Sequence, residues 1–469
     1  MSTSKQITTL KALKKSGYKS LSVREEIRKN LIGKVRAKEE LFPGIIGYDQ
    51  TVIPQIENAI LAGQDIILLG ERGQAKSRLI RALVNLLDYE IPYIAGCEIN
   101  DDPFSPLCIA CRDKVNKNGD KVEIAWLSRE ERYAEKLATP DIAVADLIGE
   151  VDPIRVAEGK YLSDELTIHF GLIPRTNRGI FAINELPDLS ERIQVSLFNL
   201  MEEKDIQIKG YKVRLPLDLV LVASANPEDY TNRGRIITPL KDRYGAQIRT
   251  HYPNRAEDEM LIMEQELKAF LKSDEVVVVP QYMKEVVAEI TGLARRSGDI
   301  NQRSGVSVRV SISNYESIIS NAYKRSLLTG ETKAVPRLSD LPAILPTTMG
   351  KIELESAEDG LEEKILTDIT RKAVLNVFER YFTVDELEGV IESFQEGVVV
   401  ETGGYRPSVD YAAVVSEIES LGRPIKQLDS DKSNEAIAAA VEFVLEGLHL
   451  KRRLNKDVAD GTHRYIGQV

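Results

Sequence analysis

Residues 65–83, D-I-I-L-L-G-E-R-G-Q-A-K-S-R-L-I-R-A-L, constrain this chain more than any other stretch. Ile66, Ile67, Leu68 and Leu69 form a short apolar run, as a buried parallel strand requires. A glycine-containing turn over 70–75 follows. Lys76 and Ser77 then open a helical pattern with Leu79, Ile80 and Leu83 on one face. In that order, the loop's backbone N–H groups and the helix start can cradle phosphate oxygens. Gly70, Glu71, Arg72, Gly73, Gln74, Ala75, Lys76 and Ser77 are the expected nucleotide-binding residues. Lys76 would reach the β- and γ-phosphates, and the Ser77 hydroxyl would sit on Mg²⁺. One position departs from the pattern G-x-x-x-x-G-K-[ST]: Ala75 stands where glycine is usual. A methyl there is expected to be tolerable only if the residue keeps φ negative. Taken alone, the stretch is also readable as a simple glycine turn.

Further strands end in chemistry-bearing residues in an order that argues against that simpler reading. Ile180–Ile183 is a buried strand ending in Asn184-Glu185. An acidic pair at such a strand end holds Mg²⁺ through water and polarises an attacking water. Here Asn184 keeps a carbonyl oxygen but lacks the charge, and Glu185 remains to orient the water. Residues 219–223 form another apolar strand, followed by S-A-N-P-E-D. Asn226 is positioned to hydrogen-bond a γ-phosphate, although Asn-Pro by itself is only a turn signal. Arg243, within L-K-D-R-Y-G, suits a cation offered to a neighbouring subunit's nucleotide, where it would stabilise developing charge. A lone arginine is more often structural. Arg309, near the start of a later helix, is a candidate to reach the bound nucleotide.

At 469 residues the chain has room for two to four domains. Its apolar runs are too short to span a bilayer, so no membrane association is expected. The first 19 residues carry five lysines and no apolar core, unlike a secretory signal. A net charge of −11 speaks against general nucleic-acid affinity. The three cysteines, an odd number, fit a reducing cytoplasm rather than a disulfide framework.

Residues 1–21 read as a mobile basic leader, and 22–40 as a charged amphipathic helix with Ser22 and Glu25 as a capping box. In the segment 41–63, Ile46 and Gly47 belong to a loop that packs on adenine in nucleotide machines, or else simply joins loop to helix. Residues 91–96 read as a second strand. Cys97, Cys108 and Cys111 then fall within fifteen residues, and Cys108-x-x-Cys111 has metal-knuckle spacing. A structural zinc needs four ligands, so Asp101, Asp102 or a distant residue would have to complete it; a reduced, metal-free cluster is the other reading. Residues 156–169 look like a hairpin turning at Glu158-Gly159, and 206–215 like one turning at Lys209-Gly210. Helical periodicity then covers 257–272, 282–298, 311–328 and 361–380. Residues 384–469 read as helical and charged, broken at Gly403-Gly404.

These stretches together resemble the AAA+ ATPases, in the branch holding the magnesium-chelatase ATPase subunit and MoxR-like proteins. F-P-G-I-I-G-Y-D-Q, G-E-R-G-Q-A-K-S, L-I-G-E-V-D with the following hairpin, G-L-I-P-R-T-N-R-G-I-F-A-I-N-E-L, V-A-S-A-N-P-E and L-K-D-R-Y-G-A-Q-I-R-T carry the resemblance. It implies an α/β P-loop core with a five-stranded parallel sheet over 41–255, including a cysteine-containing insertion (97–120) and a helix-2 insert hairpin (150–173). An α-helical lid over 256–383 and a helical extension over 384–469 would follow, after an N-terminal leader and helix over 1–40. It also implies ATP and Mg²⁺, a ring of like subunits, usually a hexamer, and a partner with a von Willebrand A-type domain. Carried over, Lys76 and Ser77 bind phosphate and Mg²⁺, Glu185 is catalytic, Asn226 is the first sensor, Arg243 the arginine finger and Arg309 the second sensor.

The leading expectation is therefore a Mg²⁺-dependent ATPase that remodels a protein client. His169, His251, His449 and His463 are scattered and suggest no second catalytic site. Alternatives are the ATPase subunit of a true magnesium chelatase, a nucleotide-gated scaffold that hydrolyses weakly because of Asn184, and a DNA-translocating motor, against which the acidic charge counts.

Overall fold

The apolar run Ile66–Leu69 forms strand β1 of a five-stranded sheet in the computed structural model. The other strands are β2 (Tyr133–Leu137), β3 (Gly179–Asn184), β4 (Leu219–Ala225) and β5 (Ala246–Arg249). All pairings are parallel, in the order β5-β1-β4-β3-β2. Residues 7–151, 167–202, 205–207, 214–226, 234–267, 276–355, 360–428, 431–459 and 461–468 are described by the structure. The chain forms two units, Met1–His251 and Tyr252–Val469.

In the first unit, every residue of β3 and β4 is buried, as a parallel sheet covered on both faces demands. Side chains alternate between two cores with the period of two that a strand imposes. Ile66, Leu68, Ile180, Ala182, Val220 and Val222 face one core, shared with helices Val23–Ala37, Val52–Leu61 and Lys76–Ala82. Ile67, Phe181, Ile183, Leu221 and Ala223 face the other, against helix Glu191–Glu202 with its Ile193, Leu197 and Leu200. Helix Val23–Ala37 begins with the Ser22–Glu25 capping box.

Two details depart from the sequence expectations. Strand Glu90–Ile94 exists, but it pairs antiparallel with Ile124–Ser128 outside the main sheet. The sheet's edge is instead β2, Y-A-E-K-L, whose residues are half-buried or exposed and so carry no apolar run. Residues 7–21 are not a loose leader. Helix Leu10–Lys15, capped by Thr9, buries Leu10 and Leu13. Leu10 N–H donates to Val122 O at 3.0 Å, Ile124 N–H to Thr8 O at 2.9 Å, and Trp126 Nε1–H to Ile7 O at 2.9 Å. The turns expected at Glu158-Gly159 and Lys209-Gly210 lie outside the described residues. Around them, Gly149–Val151 pairs antiparallel with Ile168–Phe170, and Asp205–Gln207 with Arg214–Pro216.

A buried polar network holds the turn that leads into β3. Arg132 donates from Nη1 and Nη2 to the two Glu26 carboxylate oxygens at 2.7 and 2.6 Å, and from Nε to Arg178 O at 2.8 Å. The two side chains are only 1% and 4% exposed. Arg178 Nη1 donates to Pro92 O at 2.7 Å, and Asn177 Nδ2 to Ile99 O at 2.9 Å. A Cβ at Gly179 would lie 1.9 Å from Arg132 O, so the N-R-G sequence ends in the one residue that fits.

In the second unit, helices Ala256–Leu267, Gln281–Ala294, Val308–Thr329 and Leu361–Tyr381 follow the expected periodicity. The segment after 384 is not wholly helical. Strands β6 (Val400–Gly403), β7 (Leu454–Ala459) and β8 (Thr462–Gly467) form an antiparallel sheet in the order β6-β8-β7. Leu454 and Tyr465 are the buried residues of β7 and β8, which leaves those strands polar and hides their alternation. This segment shares its interior with the helices before it. Val377 and Phe378 of the expected lid share one core with Tyr411, Phe443 and Tyr465. Helix Asn434–Leu450 lies so close that a Cβ on Gly447 would meet the Phe378 ring at 2.0 Å. Among the described residues, no helix is long and apolar enough to cross a membrane.

Candidate nucleotide site

The carboxyl ends of the parallel strands bring the expected site residues of the first unit together, where open α/β sheets bind ligands. The loop over 70–75 leaves β1, Glu185 leaves β3, Asn226 leaves β4 and Thr250 leaves β5. The loop starts tightly. Gly70 N–H donates to Ala225 O at 3.1 Å, and a Cβ on Gly70 would lie 1.9 Å from Thr250 Oγ1 and 2.2 Å from Gln74 Oε1. The buried Gln74 side chain shapes the loop from inside. Its Oε1 accepts from Glu71 N–H at 3.0 Å and from Thr250 Oγ1–H at 2.6 Å.

Ala75 adopts φ 54°, in the left-handed region, and not the negative φ its methyl group was expected to require. Gly73 is left-handed too, at φ 76°. The loop thus keeps the curl that glycine supplies elsewhere, at a cost of roughly 1–2 kcal/mol for the Cβ. Helix Lys76–Ala82 follows directly, with Ser77 half-buried on its first turn. Glu71 and Gly73 are half-buried and Arg72 is exposed.

Lys76 is buried, and its Nζ donates to Gly70 O at 2.6 Å, Glu71 O at 2.8 Å and Asn226 Oδ1 at 2.5 Å. Asn226 in turn donates from Nδ2 to Glu185 Oε2 at 2.7 Å. One carboxamide therefore joins the loop's cation to the carboxylate expected to orient water. Glu185 has φ 55°, which turns it out of β3. Its neighbour Asn184 accepts from Ser224 Oγ–H at 3.2 Å and donates from Nδ2 to Glu135. Parallel register sets Leu137 of β2 beside Asn184, so Glu135 comes from the same neighbouring strand. Arg81 grips Glu135 through Nε and Nη2 at 2.7 and 2.9 Å and, more than any other partner, holds its carboxyl below the usual glutamate range.

Ile46 and Gly47, both half-buried, lead into Tyr48, which ties their loop to the phosphate loop. Tyr48 O–H bonds Gln74 O at 2.9 Å and His251 O at 2.7 Å, and burial pushes its hydroxyl up to about 12. Thr51 Oγ1 lies 2.8 Å from His251 Nε2. Arg243 sits on helix Thr238–Arg243, where Nη2 pairs with Glu202 at 2.5 Å and its guanidinium covers the Phe198 ring at 4.8 Å. Arg309 belongs to the second unit, exposed on the first turn of helix Val308–Thr329, and its N–H donates to Ser307 Oγ at 3.1 Å. A cavity of about 320 Å³ in that unit, lined by Leu341, Thr370 and Lys456 among others, collects none of the expected nucleotide residues.

Sequence reading missed Tyr48, Glu135, Thr250 and His251. Thr250 and His251 carried one usable signal, their place just after the strand 246–249. Glu135 carried none, since only the register of β2 on β3 brings it to Asn184.

The donor set fits a nucleotide with Mg²⁺. A buried ammonium, a tightly curled loop, one hydroxyl and carboxamide and carboxylate oxygens are hard, phosphate- and Mg²⁺-compatible groups.

The cysteines converge as well. Cys97, Asp101, Cys108 and Cys111 place one ligand atom each within 4.8 Å of one another. Asp102 is engaged elsewhere, its Oδ1 accepting from Phe104 N–H at 2.9 Å. Hydrogen bonds from the other two thiols pull the Cys97 thiol far down and, with burial, push that of Cys108 up. At Cys111 the Cys108 hydrogen bond lowers the thiol, but the Cys97 hydrogen bond, burial and nearby negative charge outweigh it and push it up, while burial raises Asp101 to about 6.

No family model matches the chain. It is 29% identical over 228 residues to the magnesium-chelatase subunit ChlI homolog of Methanocaldococcus jannaschii, covering 47% of this chain and 58% of that protein. It is 26% identical over 381 residues to magnesium-chelatase subunit ChlI of Nostoc sp., covering 75% of this chain and 93% of that one. Among solved structures, a complex between subunits BchI and BchD of magnesium chelatase matches at 18% identity and TM-score 0.35, covering 69% of this chain and 98% of that chain.

Proposed function

We propose that this chain, which is similar to magnesium-chelatase ATPase subunits, is an AAA+ ATPase of that branch and binds and hydrolyses ATP with Mg²⁺ in a ring of its own copies. The observation that carries the reading is the chain Lys76–Asn226–Glu185, which links the phosphate-loop ammonium to the water-orienting carboxylate through one side chain. In hydrolysis, a water held by Glu185 attacks the γ-phosphorus, the bond to the β-bridging oxygen breaks, and the water's proton passes toward the carboxylate. On ATP binding, Lys76 shifts its hydrogen bonds from Gly70 O and Glu71 O toward phosphate oxygens. Ser77 and Asn184 would hold Mg²⁺, which would neutralise phosphate charge. Ile46 and Gly47 border the adenine. Arg243 and Arg309 are the cations assigned to developing charge, and Arg243 must leave Glu202 to serve a neighbouring copy.

The work done with this energy is remodelling of a protein client, beside a partner carrying a von Willebrand A-type domain, as the chelatase resemblance suggests. Reconstitution with the other chelatase subunits separates this from true metal insertion. A second reading, a nucleotide-gated scaffold in the cytoplasm, is favoured by one observation: both ends of the Asn184 carboxamide are engaged, and it brings no charge to Mg²⁺.

Steady-state phosphate release by the full chain with Mg²⁺ and ATP is the test. Turnover abolished by Lys76→Ala and by Glu185→Gln is expected. Unchanged turnover in Lys76→Ala would sink the ATPase reading. Tight ATP binding with no release, until Asn184→Asp restores it, would make the ring a switch.

A further inference from the structure

The first unit contains a second group of chemistry-bearing side chains that ATP hydrolysis does not use. Cys97 and Asp101 lie in the turn after strand Glu90–Ile94, and Cys108 and Cys111 on the cap and first turn of helix Ile109–Asn118. Cys111 N–H donates to Cys108 Sγ at 3.3 Å, and Asp101 N–H to Cys97 Sγ at 3.4 Å. Asp101 is fully buried. Its Oδ2 accepts from Cys108 N–H at 3.0 Å, whereas Oδ1 is buried with no hydrogen-bond partner among the described residues. No ion pair reaches it among those residues either, and the nearby Lys114 ammonium goes to Ala95 O at 3.1 Å. A carboxylate shut away with one oxygen unmet costs several kcal/mol unless a cation meets it.

We propose that Cys97, Asp101, Cys108 and Cys111 bind one zinc ion as a four-coordinate structural site. A tetrahedron with Zn–S bonds of about 2.3 Å sets its ligand atoms roughly 3.8 Å apart, and these four lie within 4.8 Å of one another. A polynuclear iron–sulfur cluster would spread its sulfurs farther apart. A disulfide would use two of the three thiols and leave Asp101 unmet. On binding, the ion takes the place of the thiol protons, which leave to solvent. The site staples the turn that carries Ile99 O and Asn100 against Asn177 and Arg175, where Asn100 Nδ2 donates to Arg175 O at 2.7 Å. Zinc therefore supports the approach to β3, not the phosphate loop itself.

The test is elemental analysis of the untagged full chain purified under reducing conditions, then cobalt substitution. One zinc per chain is expected, with thiolate-to-metal charge transfer and tetrahedral ligand-field bands when cobalt(II) replaces it. Cys108→Ser should release the metal. Asp101→Ala keeps all three thiols and should weaken zinc by at least the roughly 10–100-fold that losing an outer partner costs. Chelation should lower the thermal midpoint. A folded wild-type chain that holds no metal and takes up neither zinc nor cobalt overturns the proposal. So does bound iron with sulfide, a disulfide among the three cysteines, or unaltered zinc affinity in Asp101→Ala.

Discussion

Asn184 donates its side-chain amide to the Glu135 carboxylate, so the position expected to face Mg²⁺ is already in contact with an acid from the neighbouring strand. Arg81 and Tyr133 also bind that carboxylate, Tyr133 O–H at 2.9 Å. Asn184→Asp would exchange a hydrogen bond for two carboxylates in contact. Without nucleotide, the variant should lose about 1–2 kcal/mol. Mg²⁺ with ATP should restore more stability to it than to wild type, because a cation relieves the repulsion. Thermal melts with and without Mg²⁺-ATP measure both effects; equal midpoints of the two proteins without ligand would mean that the pair carries no such strain.

Ala75 holds a left-handed conformation that its Cβ resists. Ala75→Gly should therefore stabilise the chain by up to about 1 kcal/mol, glycine's greater freedom in the unfolded chain offsetting part of the relief. Urea denaturation is the measurement, and a destabilised glycine variant would show that the methyl group packs usefully.

Glu26 and Arg132 form a bidentate pair with almost no exposure. Glu26→Ala leaves a guanidinium buried without its counter-charge, and should cost about 3–5 kcal/mol. Combining Glu26→Leu with Arg132→Met removes both charges and should recover much of that loss. If the double variant is no more stable than Glu26→Ala, the pair's worth lies in its links to Asp88 N–H and Arg178 O instead.

Glu446 in the second unit is buried, which by itself raises its carboxyl, but Lys456 at 2.7 Å and the Tyr465 hydroxyl at 2.5 Å outweigh burial and set it below its ordinary value of 4.5. A depressed carboxyl contributes stability that is present above its unfolded value and is lost as pH falls through the lower folded one. Unfolding midpoints followed from about pH 6 to pH 3 should fall less steeply for Glu446→Gln than for wild type. Parallel profiles would contradict that assignment.

The local sequence determined those features that depend on neighbours in the chain. The run Ile66–Leu69, the Ser22–Glu25 capping box, the buried strands before Asn184 and Asn226, and the Ile193, Leu197, Leu200 stripe are all patterns of period or capping, and each forms as its residues dictate. A knuckle spacing was likewise visible at Cys108 and Cys111. Other features needed tertiary contact. Strand β2 sits at the sheet edge with half-buried side chains, so no apolar pattern announces it, and only its parallel register carries Glu135 to Asn184. Leu10 and Leu13 are too few apolar residues to mark a packed leader until Val122 and Ile124 pair with its backbone. The polar strands after residue 453 become a sheet because Leu454 and Tyr465 reach a core shared with Phe378 and Phe443. Asp101 faces the cysteines rather than Asp102 because the turn after Ile94 directs one side chain inward and leaves the other to cap Phe104. Periodicity and capping act over a few residues and can be read along the chain; register, edge position and side-chain convergence are set by segments far apart in it, and exist only once the fold has formed.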